Sequence, residues 1–356
     1  MKYAPLNGPR ELVQISRYPK GKSPDMDLKS CLRVARLRRR YPLAGVAAAL
    51  SALALAWSGQ AAFAQSSVAE PHTVRAVHAK LPGSAMSYLG VSEAGSPKSY
   101  KPVEAFGNAA GRQPNLVEDF LGWGSFSAGQ AQTAWKHHAS LLLDVDPLNV
   151  SVRSIANGGQ NAHLVALAKA VRGFRHPVVI SFGHEMNGSW YSWGWKHTSP
   201  AVFVRAWRHI VQTFQREGAD NVTWLWTVNA VGANEGPIRD WWPGSKYVSW
   251  VGIDSYFYTK GSTFASVFDP TIKAVRAVTN KPILVAETAV GQVAGQAAKI
   301  PGLFAGARGA HLLGLLWFDL DQHGSLYKQD WRLEGHRAAI AAFKKAAKRY
   351  LRLVKA

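Results

Sequence analysis

From Ser87 onward the chain alternates short β-rich runs with longer amphipathic stretches. The runs fall at 87–91, 116–121, 140–145, 178–182, 222–227, 248–253, 283–286 and 313–318. Each is short, predominantly apolar and β-rich. Between them lie helical stretches with ordinary punctuation. Ser199-Pro200 opens one whose Phe203, Trp207, Ile210 and Phe214 share a face before Gly218 stops it. Asp269-Pro270 reads as the start of another, and a last helix carries Ile340 and Phe343 inward with Lys344, Lys345 and Lys348 outward.

Eight strand–helix units in unbroken succession predict an α/β protein built as a (β/α)8 TIM barrel, here a single catalytic domain over residues 84–356. An open doubly wound sheet would carry a glycine fingerprint at its first strand–helix turn. The nearest match, Gly122-Trp123-Gly124, has Ser127 where the third glycine belongs.

The residues ahead of the barrel follow a different logic. Residues 65–83 are small, polar and unpatterned, with Pro71 and Pro82, and are expected to form a flexible linker. Residues 1–64 read as a signal peptide region. Arg36, Arg38, Arg39 and Arg40 precede an uncharged run at 43–57, and Ala62-Phe63-Ala64 supplies an A-x-A cleavage pattern. The apolar run is shorter than the roughly 20 residues of a membrane span. The expectation is therefore a secreted or periplasmic monomer that would touch a membrane only through an uncleaved leader.

Charge and composition refine this picture. The chain of 356 residues is 47% hydrophobic, enough for a large core, and its 14 Trp, 11 Tyr and 14 Phe exceed what an aliphatic core needs. Surplus rings suit a groove in which flat sugar faces stack. The formal charge is +20, but residues 1–64 hold eleven Lys/Arg against three Asp/Glu, and the stretch 335–356 holds seven Lys/Arg and no Asp/Glu. A basic surface could meet an acidic polysaccharide or simply be solvated. No helix-turn-helix, zinc-finger or RNA-binding signature supports a nucleic-acid partner. Cys31 is the only cysteine, which excludes an intrachain disulfide.

In such a barrel the polar residues at the C-terminal ends of strands carry the chemistry. Two runs end in glutamate, the fourth at Glu185 and the seventh at Glu287. Retaining cleavage of a glycosidic bond needs one carboxylic acid to protonate the leaving oxygen and one carboxylate to attack the anomeric carbon, about 5–5.5 Å apart. Mutual repulsion would keep one proton on such a pair at neutral pH. Other catalytic motifs fail: His184-Glu185 is not a zinc H-E-x-x-H because position 188 is glycine, and there is no P-loop, nucleophile elbow or Cys/His cluster. No cofactor or metal is expected.

The stretch His184-Glu185-Met186-Asn187-Gly188-Ser189-Trp190-Tyr191-Ser192-Trp193-Gly194 resembles the acid/base motif of glycoside hydrolase family 26, the family of β-mannanases, lichenases and β-1,3-xylanases. Trp226-Thr227-Val228-Asn229, the segment from Trp242 through Asp254 to Tyr256, Pro282 to Glu287, and Leu316-Trp317-Phe318 resemble its later strand signatures. The resemblance implies Glu185 as acid/base and Glu287 as nucleophile. It further implies that Tyr256 hydrogen-bonds the nucleophile, that Trp317 floors the subsite where the sugar distorts, and that His184 and Trp190 contact sugar near the acid. Asn187 and Asn229 complete the candidate sugar-binding set, Asn187 mainly by bracing its loop, and Trp241 and Trp242 are further candidates for the groove.

Two departures bear on the substrate. Strand four has Ser181 and no arginine ahead of His184, and Ser255 and Phe257 stand where Gly and Asn are more usual in the family. The functional expectation is an exported retaining endo-β-glycosidase acting on a β-mannan or β-glucan type polysaccharide, or on an acidic exopolysaccharide. The alternative is a non-catalytic glycan-binding or exopolysaccharide-assembly protein on the same barrel.

Overall fold

The computed structural model describes residues 74–232, 235–322 and 329–354. The expected signal peptide region, 1–64, lies outside the described residues. Among those described, no helix is long and apolar enough to cross a membrane.

Eight parallel strands close into a barrel in chain order. They are β1 (Tyr88–Glu93), β2 (Leu116–Asp119), β3 (Ser140–Val145), β4 (Val178–Phe182), β5 (Val222–Asn229), β6 (Trp250–Asp254), β7 (Ile283–Thr288) and β8 (Gly314–Asp319). The helices are α1 (Lys101–Ala110), α2 (Ala128–Lys136), α3 (Val152–Ala156), α4 (Asn161–Phe174), α5 (Pro200–Arg216), α6 (Phe264–Arg276), α7 (Gln296–Gly309) and α8 (Arg337–Tyr350). The closing pair, β1 with β8, runs in register from Tyr88 opposite Gly314 to Glu93 opposite Asp319. The (β/α)8 TIM barrel predicted from the hydrophobic rhythm is the fold observed.

Strand alternation sorts side chains between two cores. Tyr88, Leu116, Leu142, Val179, Leu225, Trp250, Leu284 and Leu316 face inward and fill the lower barrel. Their outward neighbours, such as Leu89, Val117, Leu143 and Val251, meet the helices. The α5 stripe behaves as its periodicity predicts: Phe203, Trp207, Ile210 and Phe214 are all buried, each contributing about 1.5–3 kcal/mol on a transfer scale. In α8, Phe343 is buried against Phe106 and Phe304 while Lys344, Lys345 and Lys348 stay in solvent.

Two expectations change. Helix α6 begins at Phe264, not at Pro270, because Thr263 and Ser266 form a reciprocal capping box one and a half turns earlier. Pro270 sits inside the helix, where its ring removes one backbone donor. Residues 74–83, read as part of a flexible linker, form no helix or strand but are docked. Leu81 is buried with the inward-facing residues, the Lys80 amide donates to Thr223 Oγ1 at 2.8 Å, and the Val77 amide donates to the Lys246 carbonyl at 2.9 Å. A barrel open at its lower end leaves apolar side chains exposed, and Leu81 covers them.

Candidate active site

Going up the inside of the barrel, the apolar layer gives way to a polar one. Ser181 Oγ and Thr227 Oγ1 are 2.9 Å apart, and Glu118, Asp144 and Asp254 are buried beside them with 3%, 2% and 0% exposure. Above these, at the C-terminal rim, stand Glu185, Glu287, His184 and Asp146.

Glu185 is aimed by its backbone. β4 is followed by Gly183, at φ 55°, and Glu185 itself has φ 52°, so both are left-handed. A Cβ on Gly183 would lie 2.9 Å from the Phe203 ring and 3.1 Å from Trp193, so only glycine fits there. A left-handed glutamate is costly and persists because the Glu185 amide donates to the Thr227 carbonyl at 3.1 Å and its neighbours are locked. The Trp190 indole N–H then donates to Glu185 Oε2 at 2.8 Å.

Glu287 is aimed by a register shift. After the inward-facing Leu284 and Ala286, strict alternation would send Glu287 out to the helices. The β6–β7 ladder slips between Ile253 and Asp254, and the β7–β8 ladder between Val285 and Thr288, which sets Asp254 opposite Glu287. The bulge turns the carboxylate back to the mouth. There the Tyr256 hydroxyl donates to Glu287 Oε2 in a short hydrogen bond.

His184 is held toward its cationic form by acids around it. Burial disfavours its charged form, but contact with Asp146 and the nearby charges of Asp144 and Glu185 pull its pKa well above the usual imidazole value. Its Nδ1 lies 3.0 Å from Asp146 and its Nε2 3.2 Å from the Tyr191 hydroxyl. Tyr191 stacks on Trp193 at 4.3 Å, and the Trp193 indole donates to the His184 carbonyl at 2.9 Å.

Burial raises the Glu185 pKa to about 7, with the charge of Glu287 adding to it and His184 and the Trp190 hydrogen bond opposing it. Glu287 is also raised by burial, but His184 and the Tyr256 hydroxyl counter that directly. Tyr256, pushed up by burial and by the charge of Glu287, remains a phenol donor. Beneath them burial lifts Asp144 to about 8 and raises Glu118 and Asp254 well above ordinary carboxylate values. Burial thus biases these lower acids toward their neutral forms. One carboxyl that holds a proton faces one whose hydrogen bond favours the anion, the arrangement an acid-and-nucleophile pair requires.

The structure brings Glu185, Glu287, His184, Trp190 and Tyr256 together at one rim. Asn187 is fully buried; its Nδ2 donates to the Asn229 carbonyl and its Oδ1 accepts from the Asn229 amide, both at 2.9 Å. It braces the β4 and β5 ends and, with no exposed surface, is closed off from a ligand at the rim. Asn229 directs its own Nδ2 to the Ala230 carbonyl at 3.1 Å.

Trp317 corrects an expectation. It is fully buried, its indole donates to the Trp331 carbonyl at 3.0 Å, and its ring meets Phe343 of α8 edge-on at 5.3 Å. Opposite the outward Val91 in register, it belongs to the helix layer. Phe318 and Trp331 flank Tyr256 instead, at ring distances of 5.7 and 5.0 Å. Trp241 is likewise buried against Phe203 and lines no groove, whereas Trp190 is the exposed tryptophan at the rim.

Asp146, Tyr191, Phe318 and Trp331 were not singled out in the sequence. Asp146 follows a strand end and could have been flagged by that position alone, whereas Trp331 arrives from beyond β8 and carries no local signal. An open cavity of 520 Å³ is lined by Tyr256 with Ala230, Val231, Ser255, Tyr258 and Ser266.

Comparison with known proteins agrees with this geometry. The model of the family described as "Glycosyl hydrolase family 26" matches residues 134–345, more than half of the chain. Endoglucanase H of Acetivibrio thermocellus is 26% identical over 270 residues, covering 71% of this chain and 29% of that protein. Beta-1,3-xylanase TXYA of a Vibrio species is 30% identical over 128 residues, 35% of this chain and 26% of that one. The chain thus spans less than a third of the length of these relatives. Among solved structures, a Cellulomonas fimi endo-beta-1,4-mannanase double mutant superposes with a TM-score of 0.60 at 15% identity, covering 78% of each chain. Bacillus subtilis mannanase man26 gives 0.55 at 18% identity, over 78% of this chain and 90% of that one. At such identities the structural likeness speaks for the fold.

Proposed function

The chain belongs to glycosyl hydrolase family 26, and on that premise we propose that it is an exported, retaining endo-β-glycosidase that hydrolyses a polysaccharide of β-mannan or β-glucan type. The observation that carries this reading is the asymmetry of the carboxyl pair: Glu287 accepts from the Tyr256 hydroxyl, while Glu185 is raised to about 7. The leader pattern at 36–64 supports export.

In the first step Glu185 gives its proton to the leaving glycosidic oxygen as the Glu287 carboxylate attacks the anomeric carbon, forming a glycosyl-enzyme. Esterification removes the charge of Glu287, one of the causes that hold a proton on Glu185. Glu185 then becomes the base that takes a proton from water, and the resulting attack frees Glu287. Trp190, exposed beside the acid, offers an indole face to the sugar.

The test is oligosaccharide release from mannan, mixed-linkage β-glucan, β-1,3-xylan and an acidic exopolysaccharide, with the wild-type chain beside Glu185→Gln and Glu287→Gln. Release by the wild type alone, with the initial product keeping its anomeric configuration by NMR, supports the reading. An inverted product, or binding of a polymer without cleavage by the wild type, overturns it.

A further inference from the structure

Where the barrel closes, the β1–β8 ladder sets Glu93 directly opposite Asp319. Like charges facing each other across a ladder repel, and here a third acid joins them: one carboxylate oxygen each from Glu93, Asp319 and Glu334 lie within 4.8 Å of one another. This cluster contains neither Glu185 nor Glu287 and stands apart from the proposed reaction.

Asp319 is 1% exposed. Its Oδ1 accepts from the Leu333 amide at 2.8 Å, which fixes the carboxylate and leaves Oδ2 to face the other acids. Asp319 Oδ2 and Glu93 Oε1 are buried, receive no donor from outside the cluster, and face only its other carboxyls. The adjacent cation donates no hydrogen bond to them and acts on Glu93 and Asp319 only through its charge: Arg332 directs its Nε and Nη2 to Asp330 at 2.8 Å and reaches Asp321 at 3.2 Å.

The donor set is all carboxylate oxygen, with no imidazole or thiolate, which suits a hard cation over zinc or copper. Calcium takes oxygen ligands at about 2.3–2.6 Å, so two oxygens on one ion lie at most about 5 Å apart, a span that matches this cluster. Its loose geometry also accommodates ligands from three separate segments. We propose that Glu93, Asp319 and Glu334 form a calcium site that clamps the seam of the barrel, with water completing the shell. The ion removes the repulsion between β1 and β8 and pins the segment leading into α8. It also stiffens β8 at Phe318, the ring beside Tyr256.

The experiment uses the full chain, stripped with EDTA and dialysed at pH 7.5, with CaCl2 as the probe in calorimetric titration and thermal melting. One calcium per chain should bind, and a hundredfold excess over Kd should raise Tm by about 5 °C. Glu334→Gln, an exposed change that leaves the core intact, should weaken binding at least tenfold and cancel most of the Tm gain; Asp319→Asn should abolish both. The site is refuted if the wild type takes up no calcium and melts identically in CaCl2 and EDTA, or if Glu334→Gln binds calcium as the wild type does. MgCl2 at the same concentration should give a smaller Tm gain; an equal or larger one overturns the assignment to calcium.

Discussion

The Trp190 indole N–H donates to Glu185 Oε2 at 2.8 Å, and the two residues are only five apart in the chain. The contact works against burial, because it favours the anion of a carboxyl that must stay protonated to act as an acid. Trp190→Phe keeps a ring over the groove and removes the bond. The Glu185 pKa should then rise above about 7, and the alkaline limb of the kcat profile should move to higher pH. Initial rates across pH 5–9 read this directly.

Tyr256→Phe deletes the hydroxyl that holds Glu287 anionic. The Glu287 pKa should climb, moving the acid limb of kcat/KM to higher pH, with kcat falling about 10–100-fold. An unmoved acid limb would mean that some other group ionises Glu287.

Asp144 carries a folded pKa of about 8, raised by burial. A carboxyl raised on folding contributes stability fully only below its unfolded value, and that contribution is lost as pH rises through the folded one. Melting temperature should therefore decline between about pH 4 and pH 8, and Asp144→Asn should flatten the decline. Paired melting curves at pH 5 and pH 9 test the sign.

Trp317 and Phe318 are neighbours on β8 with opposite duties. Trp317→Phe should cost about 1–3 kcal/mol of stability by opening space against Phe343 and orphaning the Trp331 carbonyl, with KM little changed. Phe318→Leu also thins buried packing and should lower Tm, but unlike Trp317→Phe it should in addition lower kcat/KM severalfold through the loosened Tyr256. Denaturant curves and steady-state kinetics on both variants separate the roles.

Much of this molecule is legible in one dimension. Periodicity marked eight strands and the buried stripe of α5, because apolar spacing follows directly from which face a strand or helix must bury. Position at a strand end marked Glu185 and Glu287, because the chemistry of a barrel collects at that rim. What the chain alone could not decide was direction. Strict alternation points Glu287 the wrong way, and only the register shifts against Asp254 and Thr288, set by pairing with strands far away in sequence, turn it inward. The same alternation carried Trp317 into the helix layer, though its motif placed it in the groove. The seam of acids at Glu93, Asp319 and Glu334 joins residues some 240 positions apart, and no local pattern encodes a neighbour that exists only once the first strand meets the last.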